Sequence, residues 1–300
     1  MILLTGATGY IGMRLGARLA AAGERVRCLV LPDDPVDPGR RFDADVVRGD
    51  VTSLDSFLSH GEGVTAIVHA AAVMPPAAPD LMQEVNVKGT ANVIAFAQRW
   101  KVRRIIYLSA VSAAYARKNA YGSSKAEAER LVRESGLDYT ILRLTMVYGP
   151  EGGLHFQKLV SLLQRVPLLC PVPGPGTARL QPVFVGDVIQ GVELALRSPA
   201  AGGKTYNVSG GTVLRLRDLI DRIVAIQGLR RYRLHVPLAL CQAAASALAV
   251  VLPPSFFSPD ALLGLTQDAE LDHSEFSREC GYAPLSLEDG FARTFGNATA

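Results

Sequence analysis

The sequence has few of the residues that hold metal ions or cross-link small folds. Its four cysteines lie far apart and form no C-x-x-C pair, which excludes a disulfide scaffold and favours a reducing compartment. The five histidines show no H-E-x-x-H or comparable spacing, so we expect no metal site. We expect no signal peptide, because the first apolar run already belongs to a strand and a glycine turn. These absences predict a protein of the cytoplasm.

Blocks of like charge are also absent. The net charge of +3 comes from mixed signs spread along the chain, and no basic stripe is interleaved with aromatic residues. Nucleic acid is therefore excluded as an expected partner. What the chain does contain is 49% hydrophobic residues in 300 positions, enough for a large core in one α/β domain or two interlocked ones.

One uncharged stretch, VPLALCQAAASALAVVL at residues 236–252, is at the lower edge of the length that spans a bilayer. It has a proline near its start and is rich in alanine, which favours a buried helix. An alternative stays open, in which RRYRLH at residues 230–235 contacts anionic lipid while the helix adds an apolar surface. In that case residues 230–252 make a peripheral membrane contact.

A glycine turn lies almost at the start of the chain, in LLTGATGYIG at residues 3–12. Residues 2–4 predict a buried strand, and apolar residues at helical spacing follow until Gly23. Gly6, Gly9 and Gly12 therefore occupy a strand-to-helix turn. The free N–H groups of such a helix start suit a pyrophosphate, and a side chain at any of the three glycines would block the turn, the phosphate or the packing of helix on strand.

Short Val- and Ile-rich segments alternate with helical patterns through the first half of the chain. They predict right-handed βαβ crossovers and a doubly wound parallel sheet, the Rossmann fold of the α/β class. Beyond residue 150 this rhythm gives way to proline-rich loops such as residues 170–183. The predicted strands after the first are 26–31, 46–47, 66–69 and 104–108.

A second motif, YLSAVSAAYARKNAYGSSKAEAERLV, covers residues 107–132. Tyr121 and Lys125 are four apart at the start of a predicted helix, so their side chains share one face. Tyrosine acts as an acid or base at neutral pH only with a cation nearby to stabilise the phenolate, and Lys125 supplies that charge. Ser109 and Ser112 are both eligible to hold a substrate oxygen beside the phenol.

Together these motifs resemble the extended short-chain dehydrogenase/reductase superfamily, in its NAD(P)-dependent epimerase/dehydratase branch. The resemblance also rests on GDV (49–51), VHAAA (68–72), NVKGT (86–90), ILRLTMVYGP (141–150) and TYNVSGG (205–211). It implies a dinucleotide-binding domain of residues 1–150 and 183–210, and a smaller substrate lobe of residues 151–182 and 211–300. The expected partner is a small-molecule substrate, and a homodimer is left open.

The resemblance also implies roles for single residues. Tyr121 would be the general acid/base, with Lys125 beside it and Ser109 or Ser112 orienting the substrate oxygen. Asn86 is either a polar group supporting the site or an exposed asparagine, and Arg143 is structural. The residues expected at the cofactor are Gly6, Thr8, Gly9, Tyr10, Ile11, Gly12, Asp50, Val51, Ala70, Ala71, Ala72 and Lys125.

Three departures from the nucleotide-sugar epimerases bear on the substrate. The loop between Ser112 and Tyr121 is short, Leu144 stands where proline is usual, and Phe184 where histidine is frequent. The pattern is closer to members related to 3β-hydroxysteroid dehydrogenases and to a mitochondrial complex I accessory subunit. We therefore expect an oxidoreductase acting on a sterol- or isoprenoid-like alcohol or ketone, or on a nucleotide sugar. The alternative is a non-catalytic dinucleotide-binding assembly or regulatory protein.

The cofactor is expected to be NADP or NAD, with NADP favoured. A carboxylate at the end of the second strand would bind the adenine ribose of NAD, and this sequence has Val30 and Leu31 there. Arg14 and Arg27 are the candidates for a phosphate contact. Asp33 and Asp34 remain open as ribose contacts.

Overall fold

The structure is a computed structural model that describes residues 1–166, 168–251 and 259–296. The chain divides into two compact units. The first consists of Met1–Leu144, Val188–Val208 and His273–Tyr282. The second consists of Thr145–Asp187, Ser209–Asp272 and Ala283–Ala300, of which 167, 252–258 and 297–300 lie outside the described residues.

The strands, in chain order, are β1 (Ile2–Thr5), β2 (Val26–Val30), β3 (Asp45–Arg48), β4 (Ala66–His69), β5 (Arg104–Ala110), β6 (Asp138–Leu144), β7 (Val147–Tyr148), β8 (Leu169–Pro173), β9 (Arg179–Leu180), β10 (Val183–Phe184), β11 (Lys204–Val208), β12 (Leu214–Arg215) and β13 (Tyr232–Val236). The helices are α1 (Tyr10–Ala21), α2 (Pro79–Met82), α3 (Gly89–Arg99), α4 (Ala120–Glu134), α5 (Leu154–Arg165), α6 (Val185–Arg197), α7 (Leu216–Ile226), α8 (Leu238–Val251), α9 (Pro259–Thr266), α10 (Ser274–Cys280) and α11 (Leu287–Phe295).

In the first unit, seven parallel strands form one sheet in the order β11-β6-β5-β4-β1-β2-β3. The strand order reverses between β1 and β4, so the loops after these two strands open at the same edge of the sheet. In open α/β sheets, ligands bind at this reversal point. The predicted doubly wound Rossmann fold is confirmed.

The core of the first unit lies where strand side chains meet the apolar faces of the helices. Leu15 and Leu19 of α1 are buried, and Phe96 of α3 contacts Phe57 with ring centroids 5.5 Å apart. The predicted end of α1 is close to the observed one, since the helix stops at Ala21 and Gly23 has a φ of 83°.

Residues 273–282 belong to the first unit, whereas the sequence placed them in the substrate lobe. These residues pack on the first unit because that buries aromatic surface. Phe276 is fully buried and stacks on Tyr206 of β11 and on Tyr282, with ring centroids 4.6 Å and 5.1 Å apart. Lys204 of β11 also donates to both carboxylate oxygens of Glu279, each at 2.7 Å.

In the described part of the second unit, β7 pairs with β10, β8 with β13, and β9 with β12. An aromatic cluster centres on Tyr148, whose ring lies 5.3 to 5.8 Å from three phenylalanine rings. Phe184 is one of them, so the residue that replaces a frequent histidine packs in a core. The cluster consists of Tyr148, Phe156, Phe184, Phe291 and Phe295.

The favoured sequence interpretation of residues 236–252, a buried helix, is wrong for the part that the structure describes. The helix is α8, Leu238–Val251, and residue 252 lies outside the described residues. Its side chains as far as Ser246 are exposed or half-exposed wherever they are described. Across the described ranges, no helix has both the length and the apolar character to cross a membrane.

Candidate active site

The glycine turn lies at the reversal point, between β1 and α1. Gly6 has a φ of 68°, and a Cβ on it would lie 2.7 Å from backbone atoms of Ala70 and Ala71. A Cβ on Gly12 would collide with the carbonyl oxygen of Gly6, so α1 packs against the turn only because residue 12 is glycine. Gly9 is exposed and precedes the first helical residue, which leaves the first N–H groups of α1 at the surface. Free N–H groups at a helix start are suited to bind an anion.

The segment after β4 lies directly against this turn. The N–H groups of Ala70 and Ala71 donate to the main-chain and side-chain oxygens of Thr5, at 3.3 Å and 3.2 Å. After β3, Asp50 is half-buried and its carboxylate accepts from the Thr52 N–H at 2.9 Å. The side chain of Val51 is buried against α3. Ala70 and Ala71 therefore adjoin the glycine turn.

The charged groups in and after β2 are arranged differently from the sequence expectation. Arg27 binds Asp45 and the carbonyl of His60 at the amino end of the strands, so it is wrong as a phosphate contact. The pKa of Asp34 is lowered by hydrogen bonds, first from the Val36 N–H and then from the Thr8 side chain. Because Thr8 belongs to the glycine turn, the second bond places the Asp34 carboxylate next to that turn. The Arg48 guanidinium donates to the carbonyls of Leu31 and Asp34 at 3.1 Å and 2.7 Å.

Tyr121 and Lys125 lie in the first turns of α4, whose start is capped by Asn119. Lys125 is only 2% exposed. Its Nζ donates to the Leu108 carbonyl at 2.6 Å and lies 4.2 Å from the centre of the Tyr107 ring. Burial lowers the pKa of Lys125 to about 7, partly opposed by the negative charge of Glu129. Burial raises the pKa of Tyr121, so the phenol is protonated at neutral pH.

The two candidate serines have different surroundings. Ser109 Oγ donates to Glu129 at 2.6 Å, and Arg143 binds the same carboxylate at 2.7 and 2.9 Å. Ser112 Oγ is buried and has no hydrogen-bond partner among the residues that the structure describes. The chain at Ser112 lies against α4, since a Cβ on Gly122 would be 2.6 Å from the Ser112 carbonyl oxygen.

Asn86 joins α4 to the segment after β4, and the exposed alternative for this residue is wrong. It is 1% exposed and lies in a π-helical turn, Gln83–Lys88, between α2 and α3. Its amide accepts from the Val73 N–H at 2.8 Å and donates to the Val73 carbonyl and to Ser124 Oγ, both at 3.0 Å. π-helical turns are frequent at functional sites.

The sequence reasoning missed two buried polar residues beside these. His69 contacts Thr5 Oγ1 at 2.7 Å and Thr90 Oγ1 at 3.0 Å, and burial together with the charge of Lys125 lowers its pKa to about 3. Glu129 follows Lys125 by four residues, and that helical spacing was the available signal. Within the described ranges, no group of three or more His, Cys, Asp or Glu side chains is placed to hold a metal ion.

Comparisons with known proteins agree with this arrangement. The chain is 26% identical over 321 residues to UDP-glucose 4-epimerase of Vibrio cholerae, covering 98% of this chain and 94% of the relative. It is 25% identical over 307 residues to 4-hydroxy-2-methyl-3-oxo-4-farnesyl-3,4-dihydroquinoline-1-oxide ketoreductase of Stigmatella aurantiaca, covering 93% and 91%. The structure of dTDP-glucose 4,6-dehydratase from Streptomyces venezuelae with NAD and TYD bound is similar in fold, with a TM-score of 0.76, 24% identity, and 98% and 95% coverage.

The family model with the description "NAD dependent epimerase/dehydratase family" matches residues 2–209. That range includes the glycine turn and the Tyr121 and Lys125 helix, so the resemblance drawn from the sequence is confirmed. The chain belongs to the NAD dependent epimerase/dehydratase family.

Proposed function

We propose that this protein is an oxidoreductase of the cytoplasm that interconverts a secondary alcohol and a ketone, with Tyr121 as proton donor and acceptor. The observation that carries the proposal is the Ser112 hydroxyl, buried without a partner against the first turn of α4. A buried hydroxyl without a partner is rare in native proteins because it costs free energy. A substrate oxygen bound there would satisfy it beside the Tyr121 phenol.

The residues around the glycine turn fit a dinucleotide. The N–H groups at the start of α1 would bind the pyrophosphate, and residues 70–72 would adjoin it. Asp50 and Val51 would line the adenine, and Lys125 would contact the nicotinamide ribose. When bound, the nicotinamide supplies or accepts the hydride at the substrate carbon.

Side chains of the protein bind the substrate oxygen and transfer the proton. In the direction of reduction, Ser112 donates a hydrogen bond to the carbonyl oxygen, and the Tyr121 O–H bond breaks as its proton moves to that oxygen. The resulting phenolate is stabilised by positive charge on Lys125 Nζ, held in place by the Leu108 carbonyl. Oxidation runs the same transfer in reverse, with the phenolate accepting the alcohol proton.

NADP is the cofactor that we propose. Leu31, which is 51% exposed, follows β2 where a carboxylate would select NAD. Arg48 adds a guanidinium beside that position and donates hydrogen bonds to two carbonyl oxygens, those of Leu31 and Asp34. Asp34 opposes this preference, because a carboxylate near Thr8 would repel a phosphate on the ribose.

For the substrate we propose a hydrophobic alcohol or ketone of the isoprenoid or sterol type. Ser112 lies in the short 3₁₀ turn Val111–Ala114, and the short chain from there to Tyr121 leaves few groups for a sugar nucleotide. The names of the two relatives support both classes, since one acts on UDP-glucose and the other on a farnesyl-substituted quinoline. The nucleotide sugar is the competing class.

The test is a turnover panel of prenylated or sterol ketones and UDP- or dTDP-sugars, each with NADPH and with NADH. We expect reduction of an apolar ketone by the wild type and a loss of about a hundred- to ten-thousand-fold in Tyr121→Phe. Tyr139→Phe, a half-buried tyrosine at the other end of the sheet, is the matched control. Turnover of sugar nucleotides alone would reject the apolar substrate. Dinucleotide binding without any turnover would favour the non-catalytic alternative.

A further inference from the structure

An exposed apolar surface in the second unit has no part in the proposed chemistry. Leu238 and Leu240 at the start of α8 are exposed, Leu240 by 61%. Just before the helix, β13 exposes Tyr232 by 75%, and Leu234 lies on the same strand face. Tyr232 is paired with Leu169 of β8, which is exposed as well. We call these five residues, together with Leu168, the α8 surface.

The charged side chains within the segment that contains β13 and α8 are all arginines. No Asp or Glu occurs from residue 222 to residue 259. Arg230, Arg231 and Arg233 stand at the start of β13, and Arg233 is 3.3 Å from Asp221 in the structure. Arg230 is exposed. The surface therefore combines apolar side chains with a basic edge.

We propose that the α8 surface docks on the surface of a bilayer that contains anionic phospholipid. Apolar side chains next to arginines are the features of helices that lie in the lipid interface. The fourteen residues of α8 would extend only about 21 Å, short of the ~30 Å hydrocarbon core, so the helix lies on the membrane instead of crossing it.

A second copy of the chain is a poorer occupant. A twofold interface sets the same patch against itself, so the arginines of both copies would meet without an acidic residue from this segment between them. Anionic headgroups supply the missing counter-charge, at a stabilisation that corresponds to about fivefold in affinity for each arginine near the surface. The proposal is independent of the reaction and of its substrate.

The test is sedimentation of the full chain with vesicles, either pure phosphatidylcholine or phosphatidylcholine with phosphatidylglycerol. We expect binding to the anionic vesicles, weakened by salt. We expect the Leu238→Gln/Leu240→Gln variant to bind at least tenfold more weakly, and Arg230→Gln about fivefold more weakly. Leu81→Gln and Arg103→Gln, exposed residues of the first unit, are the matched controls and should bind like the wild type.

Far-ultraviolet circular dichroism and melting curves of each variant separate lost binding from lost folding. Failure of the wild type to bind anionic vesicles would overturn the proposal. So would equal binding by the wild type and the double leucine variant. Analytical ultracentrifugation without lipid tests whether a second copy of the chain occupies the α8 surface. A wild-type dimer that becomes a monomer in the Leu238→Gln/Leu240→Gln variant would assign the surface to a second copy and overturn the proposal.

Discussion

The two serines of the candidate site should respond in opposite ways to alanine substitution. Ser112→Ala removes a buried hydroxyl that has no partner, whose desolvation costs about 1–3 kcal/mol. We expect the folded state to gain about 1 kcal/mol, or about 2 °C in a chain of this size. Hydride transfer should slow by about a hundred- to a thousandfold, because the substrate oxygen loses a hydrogen-bond donor.

Ser109→Ala should lower stability and leave turnover almost unchanged. It removes the 2.6 Å hydrogen bond to the buried Glu129 carboxylate, which keeps its contacts with Arg143 and Arg133. A hydrogen bond to a charged group contributes about 1.5–3 kcal/mol, so we expect the free energy of unfolding to fall by that amount. Turnover at a temperature where the variant is folded should change by less than tenfold.

Urea unfolding and single-turnover hydride transfer measure the two effects separately. Ser123→Ala is the matched control, since this serine is exposed in the first turn of α4, close in sequence to Tyr121. A Ser112→Ala protein that is less stable and transfers hydride at the wild-type rate would refute the reasoning. A Ser109→Ala protein of unchanged stability that has lost turnover would assign the substrate oxygen to Ser109 instead.

Three further predictions follow from other contacts. Burial lowers the pKa of Lys125 from an ordinary 10.5 to about 7, so between these values the unfolded chain binds more protons and the free energy of unfolding rises with pH. Urea unfolding from pH 7 to 10 should show this rise in the wild type and in the control Lys118→Met. The rise should be smaller in Lys125→Met. Titration with NADPH and NADH should show tighter binding of NADPH. Arg48→Gln should lose this preference for NADPH, and Asp34→Asn should increase it. Tighter binding of NADH by the wild type, abolished in Asp34→Asn, would instead assign NAD as the cofactor. Phe276→Ala should lower the free energy of unfolding by about 3–5 kcal/mol, and a loss below 1 kcal/mol would contradict the packing of α10 on β11.

Much of the fold and of the site could be predicted from the sequence because the signals are local. The glycine turn has its meaning within ten residues of chain, between a strand pattern and a helix pattern. Tyr121 and Lys125 share a face because they are four apart on a helix. The alternation of short apolar strands with helices restricts the topology to a doubly wound sheet, since parallel strands require crossovers of one hand.

The tertiary structure settled what depends on contacts between distant residues. Only packing distinguishes Ser109, which donates to Glu129, from Ser112, because the two serines are three residues apart at the end of the same strand, one within it and one just beyond it. Residues 273–282 join the first unit through Phe276 and β11, a contact across some seventy positions that no local pattern encodes. The exposure of α8 was misjudged for the same reason. An apolar helix has the same sequence whether it is buried or exposed, and only the fold shows that the side chains described at the start of α8 are exposed or half-exposed.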